Sequence, residues 1–190
     1  MEKYYLYIVL TRTNTLISKL LQLLKKDEYT HAAISLNLEL DCMYSFGRKF
    51  TYYPFVGRFK KEEVNKGLNR LHKNLPGVIL EIEVSKQQYK RVNDLLEIFV
   101  SNSTQYKYNY TGLLYGIFNK TACYEDRFSC SEFVYYILNE SGILDLKMSR
   151  SLVRPQNLLH VDSETIYKGN LKDMKYQMDF NRSIIYDNVI

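Results

Sequence analysis

Two residues of this chain combine a reactive type with a position that suits chemistry. Cys130 stands in Phe128-Ser129-Cys130-Ser131-Glu132-Phe133-Val134, at the start of a predicted helix capped by Ser129 and closed by Gly142. Unpaired N–H groups and the positive end of the helix dipole favour a thiolate over a thiol in such a first turn, and a thiolate is a nucleophile. A lone cysteine is more often a small buried hydrophobe, but the polar flanks Ser129, Ser131 and Glu132 are unusual around one. His31 opens Thr30-His31-Ala32-Ala33-Ile34-Ser35-Leu36, a strand of small apolar residues in which an imidazole has little hydrophobic reason to sit. A general base needs an anchored place on a rigid element, and a strand supplies it. A strand histidine alone is usually a satisfied core or surface residue. Beside a helix-start cysteine it forms the nucleophile and base couple of single-cysteine enzymes.

The elements that must position this couple follow from the apolar spacing. Tyr4 to Leu10 reads as a first strand, because Thr11-Arg12-Thr13-Asn14 follows it in place of a small-residue cleavage site. Leu16, Ile17, Leu20, Leu21, Leu23 and Leu24 predict an amphipathic helix over 14–26. Residues 30–36 and 40–46 flank a polar turn near Asn37 and predict a hairpin, after which a long loop over 47–59 is expected to roof a cleft. Lys60-Lys61-Glu62-Glu63 reads as a solvated helix start, and Val78 to Val84 as the clearest strand. Ser85 with Gln88 forms a capping box for a helix over 86–101, a shorter helix is expected near 111–118, and Pro155 suits the first turn of one over 155–160. Beyond 164 the signals fade.

Composition bounds the classes of function. The chain has 190 residues, 46% hydrophobic and 25% charged, with only 8 Gly and 3 Pro, so one globular domain over 1–190 is expected. The formal charge of +5 is spread as pairs rather than packed into a tract, which argues against nucleic acid as a partner. No apolar run reaches the ~18 residues of a membrane span, so no stable membrane insertion is expected. The three cysteines cannot all pair and lack C-x-x-C spacing, which predicts reduced thiols in a cytoplasmic protein, no metal and no cofactor. Cys42 and Cys123 are expected to pack as small apolar residues, His72 to be solvated and His160 to cap a helix end. The 18 tyrosines are read as plain composition.

The blocks around His31 and Cys130, with Met43-Tyr44-Ser45-Phe46-Gly47-Arg48 between them, resemble the circularly permuted members of the NlpC-type papain-like superfamily. In those proteins the strand histidine precedes the helix-start cysteine. The chain is similar to the YiiX/YaeF-like amidases and, more distantly, to lecithin:retinol acyltransferase. Tyr108-Asn109-Tyr110-Thr111-Gly112-Leu113 and Arg154-Pro155-Gln156-Asn157-Leu158 agree with this over roughly residues 4–160. The resemblance implies an α+β, circularly permuted papain-like fold, with helices against a small, mostly antiparallel sheet. It also implies a triad in which a polar group on the strand after the histidine orients the imidazole. Relatives offer Glu, His or Asn there; this strand offers Asp41, Tyr44 and Ser45, with Glu39 at the turn, and Ser45 is the first choice by its place before the Phe46-Gly47 bend, Tyr44 the second. The N–H of Cys130 is the natural oxyanion donor, Tyr108 or Tyr110 adds a hydroxyl, and Ser131 completes the candidates. The implied activity is hydrolysis of an amide or peptide substrate, with thiol acyl transfer from a lipid or similar donor and a non-catalytic binding module as alternatives.

Overall fold

Alternate residues of Tyr4–Thr11 (β1) enter different cores, Leu6, Ile8 and Leu10 on one face and Tyr7 and Val9 on the other. A strand covered on both faces reads as an unbroken apolar run, as this one does. The computed structural model describes residues 2–13, 25–48, 57–64 and 73–174. Residues 14–24 of the helix expected over 14–26, residues 49–56 of the expected loop, and His72 lie outside them.

The described chain is α+β. His31–Ser35 (β2), Met43–Arg48 (β3), Gly57–Glu62 (β4), Pro76–Val84 (β5) and Glu164–Asn170 (β8) join β1 in a six-stranded antiparallel sheet of order β4-β3-β2-β1-β5-β8. Lys107–Tyr108 (β6) and Arg127–Phe128 (β7) form a short parallel pair. Lys86–Ser101 (α1), Tyr110–Ile117 (α2) and Cys130–Glu140 (α3) are the helices, followed by 3-10 turns at Arg150–Leu152 and Pro155–His160. The hairpin, the strand over 78–84 and the capping box of α1 lie where the spacing put them, with Ser85 and Gln88 each accepting from the other's backbone N–H.

Two expectations are corrected on the segment between residues 47 and 63. Gly47 and Arg48 continue β3, and Gly57 to Phe59 already belong to β4, so both ends of the expected loop are paired strand, while 49–56 lie outside the described residues. Lys60 to Glu62 complete β4 and begin no helix. The period-2 signal was hidden because β4 places Phe59 in the core and its charged residues Lys60 and Glu62 against each other. β8 was missed for a related reason: it is an edge strand whose buried positions reduce to Tyr167, paired with β5 through a register shift at Ile79/Leu80.

The larger core fastens α1 and α3 to the sheet. Val92, Leu95, Leu96 and Phe99 bury one stripe of α1 at helical spacing. Phe46 of β3 is fully buried, with the rings of Phe59, Phe99, Phe128 and Phe133 at centroid distances of 5.7, 6.1, 5.4 and 5.4 Å. This cluster joins β3 and β4 to the first turns of α3. Phe46→Ala is expected to lower unfolding stability by about 3–5 kcal/mol, measured by urea denaturation, since rings on every side restrict collapse of the cavity.

Candidate active site

Cys130 is the first helical residue of α3, and the turn that carries it is held from several sides. Ser129 accepts from Glu132 N–H, and the Glu132 carboxylate accepts from Ser129 N–H at 2.7 Å. The Asn109 amide donates to both Glu132 oxygens at 3.1 and 3.2 Å and to Ala122 O at 2.9 Å, while its own oxygen accepts from Gly112 N–H. Burial raises the Glu132 carboxyl pKa despite these donors. α3 lies against β2 and β3, with its first turn at the end of β2 where His31 begins the strand. Cys130 is 6% exposed and lies near enough to His31 for the imidazole to act on its ionisation.

The carboxylate beside the imidazole belongs to Glu62, in the run expected as a solvated helix start. His31 Nε2 lies 3.2 and 3.1 Å from the two carboxylate oxygens of Glu62, whose side chain is 5% exposed. With Nε2 so engaged, Nδ1 is the ring nitrogen left for the thiol. Ser45, the first choice for this place, is 3.4 Å from Nε2, but its hydroxyl donates to Ala32 O at 2.7 Å. Tyr44 points to the other face of β3 and stacks on Phe59. Register explains why β4 supplies the acid: Met43 pairs with Glu62, which puts Glu62 on the face of the sheet that Ser45 shares, one strand farther out than the expected position. Lys60 Nζ takes the Glu62 Oε1 atom at 2.9 Å. It crosses β3 over Gly47, where an added Cβ would stand 2.7 Å from Lys60 Cε.

These contacts fix the charges. Burial disfavours the imidazolium of His31, but the Glu62 carboxylate and the Cys130 sulfur outweigh it and raise its pKa from 6.5 to about 10. Burial likewise opposes ionisation of Glu62, yet His31 and Lys60 lower its pKa from 4.5 to about 2. For Cys130, burial works against the thiolate, and the His31 hydrogen bond and charge, with the main chain of Ala32 and Ser131, reverse it and lower the pKa. The three shifts therefore favour a thiolate, an imidazolium and a carboxylate.

Tyr108, half-buried at the end of β6, stands near Cys130, and burial together with the nearby sulfur pushes its pKa well up, so its hydroxyl keeps its proton. Gly57 permits this placement, because a Cβ there would stand 2.7 Å from Tyr108 Cβ. Tyr110 packs its ring 4.6 Å from that of Tyr108. Ser131 turns its hydroxyl into the interior, donating to Val153 O at 2.6 Å, so its side chain is a fastening of α3 rather than an oxyanion donor. The Cys130 N–H lies in the first turn of α3, where a helix supplies no acceptor of its own.

Cys42 is half-buried, as a small packed residue would be, but Cys123 is exposed, 3.2 Å from Ser149 Oγ, contrary to the expectation of apolar packing. His160 is exposed at the end of its 3-10 turn. A small pocket lined by His31, Glu62, Thr11, Val9 and Met43 lies beside the imidazole on the sheet face that carries Ala33. Among the described residues no group of three His, Cys, Asp or Glu side chains is placed to hold a metal ion, and no helix is long and apolar enough to cross a membrane. Comparison with protein-family models, with curated proteins and with solved structures finds no match.

Proposed function

We propose that the protein is a cysteine hydrolase of the permuted papain-like kind, acting on an amide or peptide bond. The observation that carries this reading is the His31 imidazole, 3.1 Å from the Glu62 carboxylate and near enough to the Cys130 thiol to lower its pKa. The Cys130 thiolate attacks the carbonyl carbon, and the oxyanion takes hydrogen bonds from the Cys130 N–H and the Tyr108 hydroxyl. The C–N bond breaks as the His31 imidazolium gives its proton to the leaving amine, leaving an acyl-thioester on Cys130. Water then adds to the thioester as His31 takes its proton, releasing the carboxylic acid and restoring the thiolate. Glu62 orients the ring and stabilises its charged form at both stages.

One observation favours a second reading, a thiol acyltransferase with a lipid donor. Leu114, Tyr115 and Phe118, on and just after α2, are 56, 48 and 74% exposed, on the helix whose first residue packs against Tyr108. The two readings share the thioester and differ in what accepts the acyl group. Amine release from a library of soluble amides and peptides, with acyl transfer from phospholipid vesicles assayed in parallel, separates them. The hydrolase reading expects amine release by the wild type and none by a folded Cys130→Ala variant. Vesicle-dependent acyl transfer without any amine release would replace it with the second reading.

A further inference from the structure

The segment leading into His31 and the turn following α3 are tied together behind the reacting pair. Asp27, its side chain 5% exposed, receives the Arg154 guanidinium, the only charged side chain within ion-pair distance of it among the described residues. One residue on, Glu28 N–H donates to Gln156 Oε1 at 3.1 Å. Arg154 N–H donates in turn to Asn157 Oδ1 at 2.9 Å, which fixes the start of the Pro155–His160 turn. The residue before Arg154 is Val153, whose carbonyl accepts from Ser131, the neighbour of Cys130. A continuous path therefore runs from Cys130 through Ser131, Val153, Arg154 and Asp27 to His31, independent of the direct contact between thiol and imidazole.

The remaining anchors of the entry segment show what this path adds. Thr30 N–H donates to Thr11 O at 2.9 Å, and Thr13 N–H to Thr30 Oγ1 at 3.0 Å, so the last residue before His31 is already held to β1. Arg12 Nε reaches Glu28 O at 3.1 Å. All of these tie the segment to the sheet. Among the described residues, only Asp27 and Glu28, through Arg154 and Gln156, tie it to the turn that fastens α3. Because nucleophile and base sit on different elements, sheet and helix, their spacing depends on how those elements dock, and a shift of about 1 Å in such a pair costs on the order of 10²-fold in rate.

We infer that Arg154, through its ion pair with the buried Asp27, is a positioning residue that sets the distance between the sheet carrying His31 and the helix carrying Cys130. The inference rests on the reading of Cys130 and His31 as a reacting pair, and it adds a residue that touches neither.

The test follows iodoacetamide labelling of Cys130 against pH, resolved by peptide mapping so that Cys42 and Cys123 are counted apart. Arg154→Met and Asp27→Asn are each expected to move the acid limb of the Cys130 profile toward that of an ordinary thiol and to slow labelling at pH 6.5 by about ten-fold or more. Arg154→Lys, which keeps the charge, is expected to restore part of the loss. The double variant is expected to be no worse than the poorer single one, since both remove the same contact. Val92→Ala, a buried truncation on α1, serves as the stability control and is expected to lower the Tm while leaving the profile in place. Single variants that keep the wild-type profile, or a double variant whose effects add, would overturn the inference. A wild-type profile already like that of an ordinary thiol would instead overturn the thiolate reading beneath it.

Discussion

Glu62→Gln is expected to reduce turnover by about 10²- to 10⁴-fold while leaving the protein folded, as loss of the charged partner does in other nucleophile and imidazole systems. The glutamine keeps the shape of the side chain but removes the charge 3.1 Å from Nε2. What remains at His31 is chiefly the burial that disfavours an imidazolium, so its pKa should fall and the thiolate lose its counter-charge. Lys60, 2.9 Å from Glu62 Oε1, adds to the effect, because its ammonium then faces the imidazolium with no carboxylate between them. Ser45→Ala should change turnover far less, since that hydroxyl is committed to the Ala32 carbonyl. Steady-state kinetics on the two variants, with thermal unfolding as the check on folding, decide whether β4 or β3 supplies the orienting group.

His31→Ala is expected to slow iodoacetamide labelling of Cys130 at pH 6.5 by about 10²-fold, the gap between a thiolate and a thiol of ordinary pKa near 8.5 at that pH. The pair should also leave a mark on stability. The Glu62 pKa is lowered from 4.5 to about 2, so its contribution is present above 4.5 and lost as pH falls toward 2. The His31 pKa is raised from 6.5 to about 10, so its contribution is full below 6.5 and lost as pH rises toward 10. The stability difference between wild type and Glu62→Gln should therefore be largest between pH 4.5 and 6.5 and shrink on both sides, which urea midpoints across that range will measure. A difference that grows toward pH 10 would contradict the ion pair.

How far the site could be read from the chain depended on what kind of signal each residue carries. Cys130 and His31 were legible because each sits at an element boundary marked by local chemistry, a serine cap for one and a run of small apolar residues for the other. Glu62 is not legible, because Lys60 beside it on β4 completes an ordinary charged run, while His31 comes from β2 across the intervening β3. Within Lys60-Lys61-Glu62-Glu63 the charges resemble a solvated face, and nothing local reveals that the third is buried. Tyr108 was singled out for its hydroxyl, whereas the contact that admits it, the bare backbone of Gly57, lies on β4 about fifty positions earlier in the chain. The fold divides in the same way. Among the described residues, the strands and helices with one clear period lie where expected, and the two edge strands β4 and β8, with few apolar residues to show a period, do not follow from the sequence.

Capture of the acyl-enzyme bears most directly on Cys130 as a nucleophile served by His31. The wild type is mixed with short peptide amides and with their activated esters, quenched in acid within the first turnovers, and its three cysteine peptides are mapped by mass. An acyl group on Cys130 in the wild type, absent from Cys42, not exceeded on the exposed Cys123, and lost in His31→Ala, is the predicted result. Acylation of Cys123 alone, or a Cys130 adduct that forms equally fast without His31, would contradict it.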